Sequence, residues 1–261
     1  MTKIAGLISV VAAFGLMLPM AALADNHEPP APLTDVWFVV PKSGMGAEFL
    51  EAAQQHMADR KARGETRDWS TFQPVIGHKL NVYQFRSCCF DWADQDAYEK
   101  ERDEKGLVEA WNENVHQYVD HYHHYIEATD WENSHWPDGE NTSVDLYGVT
   151  TRKWKENPGG GPSEARKKLS KMAKEDGWAE AGHEWLWMNR IGGSGELLLV
   201  IPFRDYAEMA RPDPTFWEWM VEQTGSEEAA GALFDQMNAG FESSDYTVWQ
   251  RVPELSTTSD E

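Results

Sequence analysis

Residues 69–94 have the sequence WSTFQPVIGHKLNVYQFRSCCFDWAD, in which signals for strand, turn, strand and helix follow one another. The segments WSTFQPVI over 69–76 and LNVYQF over 80–85 are rich in aromatic and β-branched residues, which favour strands. The three residues between them, GHK, are few enough for a hairpin turn. The acidic and aromatic segment FDWAD then leads into a helix. The stretch therefore predicts a β-hairpin followed by a helix.

The flanking segments complete a repeating pattern. DVWFVV over 35–40 predicts a strand, and residues 47–63 predict a helix with one apolar side. After the hairpin, apolar residues at helical spacing between Leu107 and Val119 predict one long helix. HHYIEA over 123–128 then predicts a last strand. The resulting order is β-α-β-β-α-β.

The same order of elements recurs in the second part of the chain. The predicted elements there are a strand at 144–150, a helix from Ser163, a hairpin formed by 184–191 and 197–203, a helical stripe at 233–241 and a strand at 245–252. Asp68-Trp69 corresponds to Glu184-Trp185, and Gly77 corresponds to Gly193. The segment FDWAD has its counterpart in FRDYAE. These matches predict an α+β protein with two copies of one unit, at 35–131 and 143–253, joined by a linker at 132–142.

A β-α-β-β-α-β unit is the split ferredoxin-like motif. With two copies in tandem and the FDWAD and FRDYAE segments, the chain resembles the dimeric α/β-barrel superfamily. The resemblance implies two ferredoxin-like sheets packed face to face as a barrel within one chain, with inner-face side chains lining a cavity. That superfamily includes cofactor-free monooxygenases, haem enzymes related to chlorite dismutases, isomerases and proteins without demonstrated catalysis. The fold alone therefore does not choose a reaction.

The amino terminus predicts export. Lys3 is followed by an apolar run over 4–18 and by the small-residue site Ala22-Leu23-Ala24, the pattern of a removable signal peptide over 1–24. This run is too short to span a bilayer. We therefore expect a protein of the periplasm or the extracellular space, with no membrane attachment after cleavage. A proline-rich tether over 25–34 and a disordered tail over 254–261 are predicted at the two ends.

The charge of the chain limits its partners. The formal net charge is −21, and Lys3 is the one charged residue of the predicted signal peptide, so the acidity belongs to the exported part. Such a surface repels nucleic acid phosphates and anionic lipid headgroups. We therefore expect a small molecule rather than nucleic acid or a membrane as the partner. An oligomer is left open.

The chain has two cysteines, Cys88 and Cys89, and they are adjacent. Neighbouring cysteines can form a disulfide only within an eight-membered ring, with their Cα atoms closer than in ordinary disulfides. The pair is therefore interpreted as two small apolar residues at the end of a strand. A redox-active pair or a soft-metal site is the alternative.

A cluster of histidines provides a candidate metal site. Strand alternation places His121, His123 and Glu127 on one face, and these ligand types suit zinc, copper or iron. Aromatic packing or a polar strand end is the alternative. No cofactor is predicted outright, although a transition metal is possible. Haem is disfavoured, because the resemblance calls for a helical axial histidine in the second copy, where His183 just precedes a strand.

Further candidates lie in the first copy. His56 and His123 are candidate catalytic bases, since an imidazole can accept a proton near neutral pH. For His56, a buried core position is the alternative. Tyr83, Gln84 and Arg86 are candidates to hold an anionic or carbonyl group, and Gln84 and Arg86 share a strand face. The corresponding region of the second copy, 198–202, is almost wholly apolar.

No catalytic or nucleotide-binding motif accompanies these residues. The main hypothesis is an exported small-molecule-binding or interaction protein built on a duplicated barrel. The alternative is a cofactor-independent or metal-assisted monooxygenase or isomerase acting on a small organic molecule. We favour the first, because a catalytic constellation should leave a clearer trace in the sequence.

Overall fold

A computed structural model describes residues 31–136 and 144–257. The predicted signal peptide and most of the predicted linker lie outside these residues. The described strands are β1 Leu33–Pro41, β2 Ser70–Ile76, β3 Tyr83–Phe90, β4 Val119–Thr129, β5 Leu146–Trp154, β6 Leu186–Ile191, β7 Glu196–Phe203 and β8 Phe241–Arg251. The helices are α1 Gly46–Ala62, α2 Trp92–Glu104, α3 Leu107–Asn114, α4 Gly161–Glu175, α5 Phe216–Thr224 and α6 Glu227–Asn238. The predicted α+β class is confirmed.

All eight described strands belong to one closed antiparallel barrel with the order β1-β3-β2-β8-β5-β7-β6-β4. Within each half, the fourth strand lies beside the first, followed by the third and the second. The halves join where β2 pairs with β8 and where β4 pairs with β6. Closure leaves no unpaired strand edge, so the backbone groups of all the strands have neighbours in the ladder.

Strand alternation separates a helix-covered outside from a barrel interior. On β3, Tyr83 and Phe85 belong to the outer core of the first half together with Phe49 of α1. A second outer core surrounds Leu197 of β7 and Met220 of α5. The helices thus shield the outer apolar face of the sheet, while the alternate residues of each strand face the interior. Within residues 31–136 and 144–257, no helix combines the length and the apolar character that crossing a bilayer requires.

The helical region of the first half differs from the prediction. Two helices, α2 and α3, replace one long helix, and Gly106 between them has a φ of 61°. Glycine adopts this left-handed conformation readily, which ends α2 and lets the chain turn. The chain is already extended again at Val119, where β4 begins. The apolar stripe nevertheless continues, because Val115 and Val119 still face the core.

Two further differences concern chain ends and boundaries. Phe241, predicted as the last residue of a helical stripe, begins β8 and packs against Trp154 with their ring centroids 4.3 Å apart. Residues 254–257, predicted as part of a disordered tail, contact the first half. Leu255 is fully buried, and the backbone N–H of Trp69 donates to Thr257 Oγ1 at 2.7 Å. Apolar burial and these hydrogen bonds hold the segment in place; residues 258–261 lie outside the described ones.

Candidate functional site

The barrel interior contains a cavity of about 1500 Å³ that opens to solvent. Alternate residues of all eight strands line it, as the pleat of a barrel requires. Its aromatic wall contains Phe38 and Trp249, with ring centroids 5.9 Å apart, and Phe72 and Tyr147, with ring centroids 5.4 Å apart. This volume is ample for a small organic molecule.

A chain of four charged residues crosses the interior: Arg86, Glu127, Arg190 and Glu196. We call it the interior charge network. Glu127 is fully buried and accepts a hydrogen bond from Arg86 Nη1 at 2.7 Å. Its other oxygen accepts from Arg190 Nη2 at 2.8 Å and from Arg190 Nε at 3.2 Å. Arg190 also donates to Glu196. The network connects β3 and β4 of the first half to β6 and β7 of the second.

The arginines keep the buried carboxyl of Glu127 ionised. Burial alone would raise the pKa of Glu127, but the Arg86 and Arg190 guanidiniums outweigh it and lower that pKa below the usual range. Burial likewise opposes the charge of Arg190, yet Glu127 and Glu196 raise the Arg190 pKa. Glu127 and Arg190 are therefore both charged at neutral pH, and the hydrogen bonds between them are charge-assisted.

Arg86 has one edge available to a ligand. Its Nη1 donates to Glu127, whereas its Nη2 donates to Met188 Sδ at 3.5 Å, and a thioether is a weak acceptor. The side chain keeps 20% of its surface exposed, and it lines the cavity. Gln84 also lines the cavity, as the shared strand face predicted. Their role in binding stays a prediction.

Tyr83 lies on the opposite face of β3 from Gln84, so its proposed role as a ligand contact requires correction. The ring packs against Phe49 of α1, with centroids 5.1 Å apart. Adjacent residues of a strand point to opposite sides, and Tyr83 is one position out of phase with the cavity-facing residues. It is a core residue of the first half.

His56 also lies outside the cavity. It is 2% exposed on α1, its ring meets Trp111 edge-on at 5.1 Å, and its Nε2 lies 3.3 Å from Arg60 Nη1. Burial first and the Arg60 charge second lower the pKa of His56 to about 4. The imidazole is therefore neutral at neutral pH and separated from His123. The core interpretation describes it better than the catalytic one.

The proposed metal ligands share a face, but they do not assemble around one point. His121 and His123 line the cavity, with ring centroids 5.3 Å apart. His121 Nδ1 instead lies 2.6 Å from Asp120 Oδ2, and both oxygens of Glu127 are taken by arginines. In the described part of the chain, no group of three histidine, cysteine or acidic residues could hold a metal ion. The proposed site of His121, His123 and Glu127 is therefore not formed.

His123 is chemically able to act as a base without a metal. Burial, the neighbouring His121 and the charge of Lys79 lower the pKa of His123. The ring is therefore mostly neutral at neutral pH and can accept a proton inside the cavity.

Sequence reasoning did not identify Arg190 and Glu196 as site residues. The available signal was their position in the second hairpin, where they directly face each other across the β6–β7 pair. Charged residues facing each other on the inner side of an otherwise apolar hairpin indicate an interior ion pair. The apolar character of 198–202 concealed this signal.

The two cysteines also differ from their preferred interpretation. Cys88 and Cys89 form a disulfide on β3. Cys88 lines the cavity, and Thr34 Oγ1 donates a hydrogen bond to its Sγ at 3.2 Å. The pair is thus a bonded unit of the cavity wall and not two free apolar side chains.

Comparison with known proteins identifies the fold and no family. No protein-family model matches the chain, and no curated protein matches it by sequence. Among solved structures, it is similar to a candidate monooxygenase of Lactobacillus acidophilus, with a TM-score of 0.51 and 11% identity over 87% of this chain and 96% of that one. It is also similar to a candidate monooxygenase of Fusobacterium nucleatum, with a TM-score of 0.52 and 10% identity over 85% and 93% of the two chains. At these identities, the likeness shows the fold alone.

The matched structures also include a haem-binding protein of Thermus thermophilus, with a TM-score of 0.41 and 13% identity over 86% of this chain and 95% of that one. This likeness supports no argument about haem here. In the second half, His183 stacks on Trp178 with centroids 3.8 Å apart, and Trp178 belongs to the outer core. His183 therefore does not fit the axial role that the resemblance implied, and we derive no step through haem. The expected absence of haem stays a prediction.

The buried position of His56 predicts how stability depends on pH. Its pKa is about 4 in the folded chain and 6.5 when exposed, so below pH 6.5 the unfolded chain takes up a proton that the folded chain does not. From about pH 7 to about pH 5, this linkage should remove roughly 2 kcal/mol from the free energy of unfolding. In His56→Gln, that share of the pH dependence should vanish, as measured by urea denaturation at each pH. An unchanged slope in this variant would show that His56 is not held neutral.

Proposed function

We propose that the chain is an exported binding protein whose barrel cavity holds a small organic anion. The observation that carries the proposal is Arg86, whose guanidinium is fixed at the cavity wall by Glu127 while Nη2 has the weak acceptor Met188 Sδ. A guanidinium presents several N–H donors in one plane, so a carboxylate, sulfonate or enolate can take the open edge.

The surroundings of Arg86 favour such binding. Glu127 is shared between two guanidiniums, so Arg86 has only part of one carboxylate charge beside it. Its hydrogen bond also holds the Arg86 side chain in place, which lowers the conformational entropy lost when a ligand binds. Because the chain as a whole is strongly acidic, its surface repels an anion, whereas Arg86 provides a fixed cation inside the barrel.

The rest of the cavity indicates the body of the ligand. Phe38 lies near both Trp249 and Tyr125, with centroids 5.9 Å from each ring. These rings provide flat apolar surfaces, and Gln84 provides an amide on the same wall as Arg86. The arrangement favours an aromatic or conjugated molecule with one anionic group.

Two variants with opposite expectations test this proposal. Arg86→Gln and Glu127→Gln both break the same ion pair, but only the first removes the cation that faces the cavity. With 8-anilinonaphthalene-1-sulfonate as the probe, Arg86→Gln should weaken binding about tenfold, the value of one charge-assisted hydrogen bond. Glu127→Gln should bind the probe at least as tightly as the original chain, because Arg86 then keeps its charge without its carboxylate partner. Fluorescence titration measures both affinities.

The pair of variants also controls for stability. Removing either partner of a buried ion pair is expected to destabilise the fold by about 3–5 kcal/mol, so both titrations are made well below the thermal unfolding midpoint of each variant. Equal weakening in the two variants would mean that the probe senses loosened packing rather than the Arg86 cation. The proposal would then be wrong.

The alternative function is a cofactor-independent monooxygenase or isomerase, and His123 favours it. A neutral imidazole on the same cavity wall can remove a proton from an acidic C–H or O–H group of a bound molecule. The candidate monooxygenases that share the fold agree with this reading. A panel of phenols and β-dicarbonyl compounds, followed by oxygen uptake and by product analysis, distinguishes the two functions. Turnover that is lost in His123→Ala with unchanged affinity would favour the enzyme, and the absence of turnover favours the binding protein.

Export forms part of the proposal. It rests on Lys3, the apolar run and the Ala22-Leu23-Ala24 cleavage site. The Cys88–Cys89 disulfide supports it, because disulfides persist in oxidising compartments such as the periplasm.

A further inference from the structure

The Cys88–Cys89 disulfide has no evident structural purpose. A disulfide stabilises a fold mainly by closing a loop of the unfolded chain, and its effect grows with the length of that loop. This one joins neighbours already linked by a peptide bond, so the loop that it closes is the shortest possible. The chain has no other cysteine with which either residue could pair. The bond therefore calls for a chemical explanation.

Its position on β3 supports such an explanation. Asp35 of β1 pairs with Ser87, and Thr34 pairs with Cys88, but Leu33 pairs with Phe90, so Cys89 is the extra residue of a bulge. The bulge lets Phe90 pack with Leu33 and Ile126 and leaves Cys88 on the cavity wall, where it is exposed. Cys89 is half-buried. Bulges often re-aim a side chain in this way beside a functional site.

The neighbours of Cys88 suit thiol chemistry. Thr34 Oγ1 donates a hydrogen bond to Cys88 Sγ at 3.2 Å. Arg86 lies two positions earlier on the same strand face and also lines the cavity. A hydroxyl donor and a nearby cation both stabilise the Cys88 thiolate when this sulfur is released from a mixed disulfide.

We propose that the Cys88–Cys89 disulfide is a thiol-exchange site that reacts with small thiols entering the barrel. The thiolate of the small molecule attacks Cys88 Sγ, the bond between the two cysteines breaks, and Cys89 leaves as a thiolate that takes up a proton. A second small thiol then attacks the sulfur of the bound molecule and releases Cys88. Two small thiols thus become one disulfide, and their two electrons and two protons reduce the protein pair to two thiols.

The experiment uses the full chain purified without reductant, with reduced glutathione as the small thiol. Ellman's reagent should find no free thiol before the reaction and two thiols per chain afterwards, without any denaturant. Thr34→Val should slow this reduction by about threefold to tenfold, because the leaving Cys88 thiolate loses its hydrogen-bond donor. Reductions that proceed equally fast in the Thr34→Val and unsubstituted chains would contradict the assigned role of Thr34.

The single-cysteine variants provide a matched pair, since Cys88→Ser and Cys89→Ser both lack the disulfide. With oxidised glutathione, Cys88 in Cys89→Ser should form a mixed disulfide at least about tenfold faster than Cys89 in Cys88→Ser, as followed by mass spectrometry. Circular dichroism confirms that both variants are folded.

Three results would overturn the proposal: free thiols in the untreated chain, reduction that requires denaturant, or equal reactivity of the two single cysteines. None of them bears on anion binding by Arg86, which is measured separately with the sulfonate probe.

Discussion

The carboxylate of Glu127, shared between Arg86 and Arg190, links the two halves of the barrel from the inside. It is fully buried, and it can stay ionised there only because two guanidiniums surround it. Glu127 and Arg190 face each other directly where β4 pairs with β6, one of the two joints between the halves of the barrel. A shift of one residue in this pairing would turn one charge outward and leave the other buried without a partner. The network therefore specifies the register as well as the closure of the barrel.

The same carboxylate determines what the cavity can do. Two arginines share it, and Arg190 also bonds a second carboxylate, Glu196, whereas the second contact of Arg86 among the described residues is the sulfur of Met188. The open edge of Arg86 follows from this asymmetry. Around it, the first half supplies the histidines, Gln84 and Cys88, and β7 contributes Glu196, Leu198 and Val200. The lining therefore combines charged and apolar side chains, which suits a ligand with one charged end and an apolar body.

Much of the architecture could be predicted from the sequence, because each strand and helix has a local pattern. The alternation of β4 correctly placed His121, His123 and Glu127 on one face, and the alternation of β3 placed Gln84 with Arg86. The same rule should have excluded Tyr83 from the cavity, because it is one residue out of phase with Gln84 and Arg86 and packs in the outer core. The position of His56 was harder to predict, because a residue at the border of a helical stripe can face either the core or solvent.

Other features depend on contacts between residues far apart in the chain. The partner of Glu127 on β6 could not be predicted, because it is set by how the two halves pair and not by any local spacing. The metal hypothesis was wrong for this reason: the face was right, but the carboxylate was already bound by arginines. The disulfide required a bulge that depends on the pairing of β3 with β1. Patterns within one strand carry no information about such pairings.

A crystal structure of the chain with 8-anilinonaphthalene-1-sulfonate bound tests most directly whether Arg86 binds an anion inside the barrel. We expect the probe to lie inside the barrel, with a sulfonate oxygen within hydrogen-bonding distance of Arg86 Nη2 and with Arg86 Nη1 still bonded to Glu127. A probe bound only outside the barrel, or an Arg86 whose two amino groups are both held by protein carboxylates, would contradict it.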